Sequence, residues 1–240
     1  MADQTSDPTG NWVVDRMAAE DWEALRPHLT RVQVAKGDTL IRQGSAVETV
    51  HFPVTADLSN IVAFSDGRML ETSSVGRDGV SGLAAFLADA PIAWEVEVQT
   101  PGELLQISAD RLRRRVLESP PLLHQLLLVA HDVQSQAAQV AACNALHEVT
   151  PRLARWLLTL ADRTQQSELA VTQQDMAALL GTQRTSINAS ASILRDAGAV
   201  RYRRGRVTIV DHGLLEGQAC ECYAVQRMRT AALGLPVARI

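Results

Sequence analysis

The sequence predicts an α+β protein: an N-terminal antiparallel β-roll of jelly-roll type, then one long helix, then a C-terminal unit of short helices with a β-hairpin. Three observations lead to this prediction. Short alternating apolar runs separated by glycine fill the region from Val32 to Ile107. A stretch without glycine or proline extends over residues 122–148. A helix break at Gly181 precedes a hairpin sequence rich in arginine.

The composition indicates a globular chain. Its 240 residues are 46% hydrophobic and 21% charged, enough for one sizeable core or two modest ones. No apolar run approaches the roughly 20 residues of a membrane crossing, and the opening MADQTSDPTG lacks the segments of a secretion signal. The three cysteines form no CxxC pair, which argues against a disulfide framework. We expect a cytoplasmic protein with reduced thiols.

The charge is unevenly distributed along the chain. Residues 1–150 contain 11 basic and 20 acidic side chains, whereas residues 151–210 contain 9 basic and 4 acidic ones. Every basic residue except Lys36 is an arginine, and the planar guanidinium suits phosphates and guanine edges. This concentration indicates that the C-terminal unit meets a polyanion.

The first domain is predicted to span residues 1–118. Residues 15–29 have the apolar spacing of a short helix. Seven or eight short strands at even spacing then predict a closed sandwich or β-roll. Ser108 has the position of an N-cap for the helix that follows the strands.

The long helix is predicted to span residues 119–149 and to form a homodimer. Pro120 and Pro121 fit its first turn. Small and apolar residues recur along it in steps of 3 and 4, the spacing of a two-stranded coiled coil, and one Asn in such a seam fixes the register. Packing on the chain's own β-domain is the alternative. The predicted dimerisation seam is Leu123, Leu126, Ala130, Val133, Ala137, Val140 and Asn144.

A second domain is predicted at residues 150–225, followed by a tail at 226–240. Thr150 and Pro151 mark the start of its first helix. Thr172 is predicted to cap the next helix, Gly181 to end it and Thr182 to cap the helix after that. Two short helices joined this closely predict a helix-turn-helix.

The second helix of this pair has a polar outer face, because its apolar residues lie on the opposite side. Arginine, asparagine, serine and threonine on that face suit base edges and phosphates. The sequence AVRYRRGRVTIV then predicts a hairpin with four arginines within six residues, a wing beside the helices. The domain is therefore predicted to bind double-stranded DNA. The predicted contact residues are Thr172, Gln173, Gln183, Arg184, Thr185, Ser186, Asn188, Ser192, Arg195, Arg203, Arg204 and Arg206.

The layout resembles the Crp/Fnr family of bacterial transcription regulators over roughly residues 15–215. The segments that resemble it are VAKGDTLIRQGSAVETVHFP and TQQDMAALLGTQRTSINASASILRDAGAVRYRRGRVTIVD. The resemblance implies a dimeric regulator with a cyclic-nucleotide-binding-like roll, with RNA polymerase as a candidate partner. Arg184 matches the family's arginine at the start of the recognition helix, and Ser186 its usual Ser or Thr. Thr185 stands where many members have Glu, and Ala189 where the cyclic-AMP-binding member has Arg, so we expect an operator different from that member's.

Binding of cyclic AMP is not predicted, although the resemblance raises it. Cyclic-nucleotide members hold the phosphate with a Gly-Glu pair and an Arg-Ser or Arg-Thr pair. No Lys or Arg lies between Arg77 and Arg111, and six acidic residues do. The expectation that remains for the roll is an unidentified small effector or no ligand at all. The apolar pocket for such an effector is predicted to be lined by Ser81, Phe86, Trp94, His131 and Gln134.

The same residues bear on several other functions. No cysteine precedes Cys143, which excludes an iron-sulfur sensor of the Fnr type. No set of side chains predicts catalysis, a cofactor or a metal site, so a non-enzyme is expected. Two alternatives stay open. One is a redox- or metal-responsive regulator acting through Cys220 and Cys222; the other is a ligand-binding or enzymatic roll whose helical tail only dimerises.

Overall fold

The computed structural model describes residues 8–234 and residue 237. Most of the acidic opening and the end of the predicted tail lie outside them. The predicted α+β architecture and its order are confirmed. The helices are α1 (Ala19–Leu25), α2 (Leu83–Ala88), α3 (Ala109–Glu118), α4 (Pro120–Leu146), α5 (Val149–Thr164), α6 (Gln173–Leu179), α7 (Arg184–Asp196), α8 (His212–Gln218) and α9 (Cys222–Ala232). The strands are β1 (Thr30–Val34), β2 (Thr39–Ile41), β3 (Thr49–Pro53), β4 (Asp57–Ala63), β5 (Met69–Val75), β6 (Glu95–Thr100), β7 (Gly102–Ser108), β8 (Glu168–Leu169), β9 (Val200–Arg203) and β10 (Arg206–Ile209).

The roll consists of two antiparallel sheets whose inner faces share one core. One sheet has the order β1-β7-β3 and the other the order β2-β6-β4-β5. Phe52, Leu58 and Val96 lie between them and are fully buried. The helix predicted at residues 15–29 is shorter, because 3₁₀ turns at Val14–Arg16 and Arg26–His28 flank α1. Pro27 lacks the backbone donor that a continuing helix would need.

Helix α4 begins where the two prolines predict, and Ser119 caps it by accepting a hydrogen bond from the Leu122 backbone N–H. Its first half packs on the roll. Leu126 is fully buried in that core, so its assignment to a dimer seam is wrong: no surface remains for a partner. Val140 lines a small internal space beside Asp57 and Trp156 and therefore also faces its own chain.

The second domain packs against both the roll and α4. Ile61 of β4 belongs to its core, together with Leu157 and Leu180. The buried guanidinium of Arg163 on α5 donates to Ser74 of the roll and to Gln136 of α4. Lys36 at the β1–β2 turn forms a 2.6 Å ion pair with Asp175 of α6. The sheets, α4 and the C-terminal helices therefore make one continuous packing arrangement.

The start of α5 and the predicted end of the second domain differ from the sequence prediction. The N-cap of α5 is Glu148 and not Thr150, whose hydroxyl instead donates to Ser190 of α7 at 2.9 Å. The boundary predicted between residues 225 and 226 falls inside α9. This helix returns to α4, where Thr230 donates to Asp132 at 3.1 Å. Among the described residues, no helix combines the length and apolar character of a membrane span.

Candidate nucleic-acid interface

The turn between α6 and α7 is built by a capping box and a Schellman motif. Thr172 and Asp175 exchange the reciprocal hydrogen bonds that close the N-terminus of α6. At its other end Gly181 has φ +60°, and the N–H groups of Gly181 and Thr182 donate to Ala178 and Ala177. Thr182 thus completes the end of α6. The prediction that it caps α7 is wrong: the N-cap is Gln183, without a side-chain capping bond.

Helix α7 is amphipathic as its sequence predicts. Ile187, Ser190 and Leu194 are buried against the domain core. On the opposite side Arg184, Thr185, Asn188 and Arg195 are exposed and Ser192 is half-buried. The predicted contact residue Gln183 is exposed and Ser186 is half-buried. Arg195 is paired with its neighbour Asp196 at 2.9 Å, so its charge is partly neutralised.

The wing is a two-residue hairpin between β9 and β10. Arg204 has φ +42° and Gly205 φ +79°, and positive φ at both central residues is the signature of a type I′ turn, which matches the twist of the strands. A third strand, β8, pairs with β10 and was not predicted. Its Glu168 forms an exposed ion pair with Arg206 at 2.8 Å. The turn presents Arg203 and Arg204 to solvent.

A basic groove of about 520 Å³ separates the helix-turn-helix from the wing. Four arginines line it, and none of its lining residues is acidic. It brings together six of the twelve predicted contact residues, while the other six lie along α7. Four lining residues were not predicted as contacts, because none of these residue types signals DNA contact by itself: Val171, Gln174, Tyr202 and Gly205. The groove is lined by Val171, Thr172, Gln173, Gln174, Arg184, Tyr202, Arg203, Arg204, Gly205 and Arg206.

Three of the nine arginines in residues 151–210 do not face solvent. Arg152, Arg155 and Arg163 are buried on α5, where Arg152 donates to the Leu180 carbonyl and Arg163 lies 3.4 Å from Asp78. The charge count from the sequence therefore overstates what a polyanion can meet. The other six arginines of residues 151–210 are exposed and lie on α7 and the wing.

Comparison with known proteins places this arrangement in a family. Residues 151–217 match the model of the Crp-like helix-turn-helix domain, and residues 31–119 match that of the cyclic nucleotide-binding domain. The chain belongs to the Crp/Fnr family. It is a Crp-like transcription regulator with a helix-turn-helix DNA-binding domain.

The relatives of this Crp/Fnr regulator are themselves named as regulators. The cAMP-activated global transcriptional regulator CRP of Pasteurella multocida is 24% identical over 167 residues, 66% of this chain and 79% of that protein. The CRP-like cAMP-activated global transcriptional regulator of Mycobacterium tuberculosis is 23% identical over 203 residues, 82% of this chain and 91% of that protein.

Solved structures share the fold of this Crp/Fnr chain. The c-di-GMP responsive global regulator CLP of Xanthomonas campestris has a TM-score of 0.65 at 21% identity, covering 81% of this chain and all of that one. A crp/fnr family regulator from Eubacterium rectale has a TM-score of 0.67 at 18% identity, covering 84% of this chain and 94% of that one. These likenesses show the architecture alone.

The five residues predicted to line an effector pocket lie in different surroundings in this Crp/Fnr structure, and the pocket stays a prediction. Ser81 and Phe86 are fully buried. The Ser81 hydroxyl is hydrogen-bonded to Nδ1 of the His51 ring at 3.0 Å. His131 and Gln134 are exposed on α4. Trp94 is half-buried against the roll core.

A cluster of cysteines was missed by the sequence analysis of this regulator. Cys220 and Cys222 meet Cys143 and His147 of α4, and the four ligand atoms lie within 4.8 Å of one another. A hydrogen bond from Cys220 and the nearby charge of Arg155 lower the pKa of Cys143. The spacing of Cys143 and His147, four residues apart on one helix, was the available signal, since such residues share a face.

Proposed function

We propose that this regulator is a homodimer that reads an inverted-repeat DNA operator and does so without a cyclic nucleotide. The observation that carries the proposal is the basic groove beside the exposed polar face of α7. A free helix face of Arg, Thr and Asn fits the major groove, and arginines beside it fit the phosphate backbone. The two surfaces are adjacent, so one duplex can contact both.

The two basic surfaces have different roles in this proposal. Arg184 is the first residue of α7, and the N-terminal residues of a recognition helix contact base edges. Its guanidinium is suited to guanine, as the amide of Asn188 is to adenine. Arg203 and Arg204 lie on the hairpin of the wing and contact phosphates, which adds affinity without sequence information.

We place the dimer interface along α4, with a seam that differs from the predicted one because Leu126 is buried in its own chain. Leu126 and Val140 of the predicted seam face their own chain. The residues next to the predicted positions 126, 133 and 140 are Leu127, Gln134 and Ala141, and they are exposed. If they replace those three positions, the seam residues still recur in steps of 4 and 3, the spacing of a coiled coil. The proposed seam is Leu123, Leu127, Ala130, Gln134, Ala137, Ala141 and Asn144.

Independence from cyclic nucleotides is supported by the cations around α2. The arginine that precedes this helix, Arg77, donates to the Val54 carbonyl and packs over Trp12. Arg113 pairs with Asp89 at 2.8 Å. A cyclic phosphate needs a fixed cation, and neither guanidinium is free to serve as one. The relatives that are named as cAMP-activated thus differ from this chain in the proposed signal.

Selection of duplexes from random DNA tests this function. The full chain, without added nucleotide, is expected to enrich inverted repeats whose half-sites are about 10 to 11 base pairs apart, since recognition helices of such dimers lie about 34 Å apart. Adding cyclic AMP should leave the affinity for the selected duplex unchanged. Enrichment of single half-sites would contradict the dimer, and enrichment only with cyclic AMP would contradict the independence.

A further inference from the structure

Four potential metal ligands converge where α9 meets the end of α4. Cys143 and His147 lie one helical turn apart, at the last turn and C-cap of α4. Cys220 and Cys222 flank the turn between α8 and α9. The Sγ atoms of Cys143 and Cys220 are 3.5 Å apart, and the Sγ of Cys222 lies 3.6 Å from the Nδ1 of His147. The sequence separation between the two pairs is large, so the fold itself assembles this set.

These distances match a tetrahedral zinc site. Bond lengths of about 2.3 Å to sulfur and about 2.0 to 2.1 Å to nitrogen place adjacent ligand atoms of a tetrahedron about 3.5 to 3.8 Å apart. The Cys143–Cys220 separation of 3.5 Å and the Cys222–His147 separation of 3.6 Å lie at this value, and no pair exceeds 4.8 Å. The enclosed space suits one ion rather than a cluster of several. Three thiolates and one imidazole are ligands that zinc accepts in structural sites.

The groups around the four ligands are those that a metal site requires. The Nε2 of His147 lies 3.2 Å from the Glu221 carboxylate, which orients the ring with Nδ1 toward the thiols. The Gln139 amide donates to the Cys222 sulfur at 3.0 Å. All three cysteines are buried. Proteins commonly fix a metal-bound imidazole in this way, with a carboxylate hydrogen-bonded to the ring nitrogen that does not bind the metal.

The charge of the surroundings also fits. One Zn²⁺ with three thiolates and a neutral imidazole carries a net charge of −1. Arg152 and Arg155 lie beside the cluster on α5, close enough to interact electrostatically with Cys143. The Nε groups of both arginines are buried without a hydrogen-bond partner within the described structure. An anionic centre would compensate these guanidinium charges.

We propose that Cys143, His147, Cys220 and Cys222 bind one Zn²⁺ ion, which joins the start of α9 to the end of α4. Binding releases the thiol protons to solvent. The site lies at the junction where α4 ends at Leu146 and α5 begins at Val149. The bound ion therefore fixes the position of the DNA-binding domain relative to the long helix. This inference is independent of the proposed operator.

The test measures metal in the full chain, purified with a reductant and without a metal-affinity step. Mass spectrometry of metals is expected to find about one zinc per chain. The chelator-stripped protein should take up one equivalent of Zn²⁺, and Co²⁺ should give the visible absorption of a tetrahedral thiolate complex. Cys143→Ser and Cys222→Ser should lose the site. Glu221→Gln, which leaves all four ligands, should weaken zinc affinity about 10- to 100-fold.

His131→Ala is the matched control, because this histidine is exposed on the same helix; it should retain full zinc content. Circular dichroism shows whether each serine variant is folded. Zinc uptake by the stripped wild-type chain shows what an intact site binds, so loss of the site can be distinguished from loss of the fold. Folded wild-type chain that neither contains zinc nor takes it up would overturn the proposal. Zinc content unchanged in both serine variants would also overturn it.

Discussion

The indole nitrogen of Trp156 on α5 donates a 2.9 Å hydrogen bond to the carboxylate of Glu71 on β5. Both side chains are buried, and Ser59 donates to the other oxygen of the same carboxylate. Burial raises the pKa of Glu71, and the hydrogen bonds from Ser59 and Trp156 oppose that shift. This contact connects the DNA-binding domain to the roll.

Removing the Trp156 donor should destabilise the folded chain. Trp156→Phe leaves an oxygen of Glu71 without its partner in a buried site, which costs about 1 to 3 kcal/mol. Urea unfolding followed by circular dichroism measures the free energy of unfolding. Trp94→Phe is the matched control, because its indole nitrogen has no hydrogen-bond partner among the described residues. Equal losses for the two variants would refute a specific role of the Trp156–Glu71 bond.

The roll should lose stability in mild acid through His51. Burial lowers the pKa of His51 from 6.5 to about 4, so the folded ring stays neutral where the unfolded chain binds a proton. The free energy of unfolding therefore falls as the pH drops from about 6.5 to about 4, by at most about 3 kcal/mol from this group. Below that range the group adds no further slope.

His51→Gln should remove this part of the pH dependence, and His131→Gln, at an exposed position, should keep it. Unfolding curves in urea at several pH values between 4.5 and 7 give the slopes directly. The same slope in wild type and His51→Gln would show that the buried imidazole does not control acid stability.

Leu127→Glu should convert the proposed dimer to a monomer. Leu127 is 49% exposed in the single chain, so a charge there is tolerated by the fold and disrupts only a helix pair. Leu146→Glu is the control, because Leu146 lies on the same helix, is 81% exposed and falls outside the proposed seam. Sedimentation equilibrium should give twice the chain mass for wild type and Leu146→Glu. Dimeric Leu127→Glu would place the interface elsewhere.

The wing should contribute affinity without selectivity. Arg204→Ala removes one exposed cation from the groove, and a phosphate contact weakens binding to all duplexes alike while lowering the salt dependence by about one ion. Fluorescence anisotropy on selected and random duplexes at several salt concentrations measures both quantities. Arg42→Ala, at an exposed position on the roll, should change neither. A loss confined to the selected duplex would assign base recognition to the wing.

Local patterns in the sequence were enough to predict the order of elements, since the strands, the proline-initiated helix and the helix break at Gly181 each depend on neighbouring residues. Thr182 and Leu126 were misassigned for different reasons. Thr182 has the residue type of a cap but is used by the Schellman motif. Leu126 has the spacing of a seam, but periodicity does not say whether a helix faces a partner or its own roll.

The candidate sites likewise combine features that local sequence predicts with features that depend on long-range packing. The polar face of α7 follows from helix geometry and was predictable. The groove depends on how the wing folds back, and the cysteine cluster depends on α9 returning to α4 across 77 residues between Cys143 and Cys220. Such long-range contacts are set by packing of the whole chain. The buried arginines of α5 were likewise counted as surface charge, because composition does not reveal which side of a helix meets a core.

The measurement that tests the central claim most directly is fluorescence anisotropy of wild type and Arg184→Ala on the selected duplex, on variants changed at each base pair and on a scrambled duplex. We predict that Arg184→Ala costs about 1 to 3 kcal/mol on the selected duplex and removes the preference at one base pair per half-site, with little change on scrambled DNA. An equal loss on every duplex, or no loss on any, would contradict the reading of DNA sequence by α7.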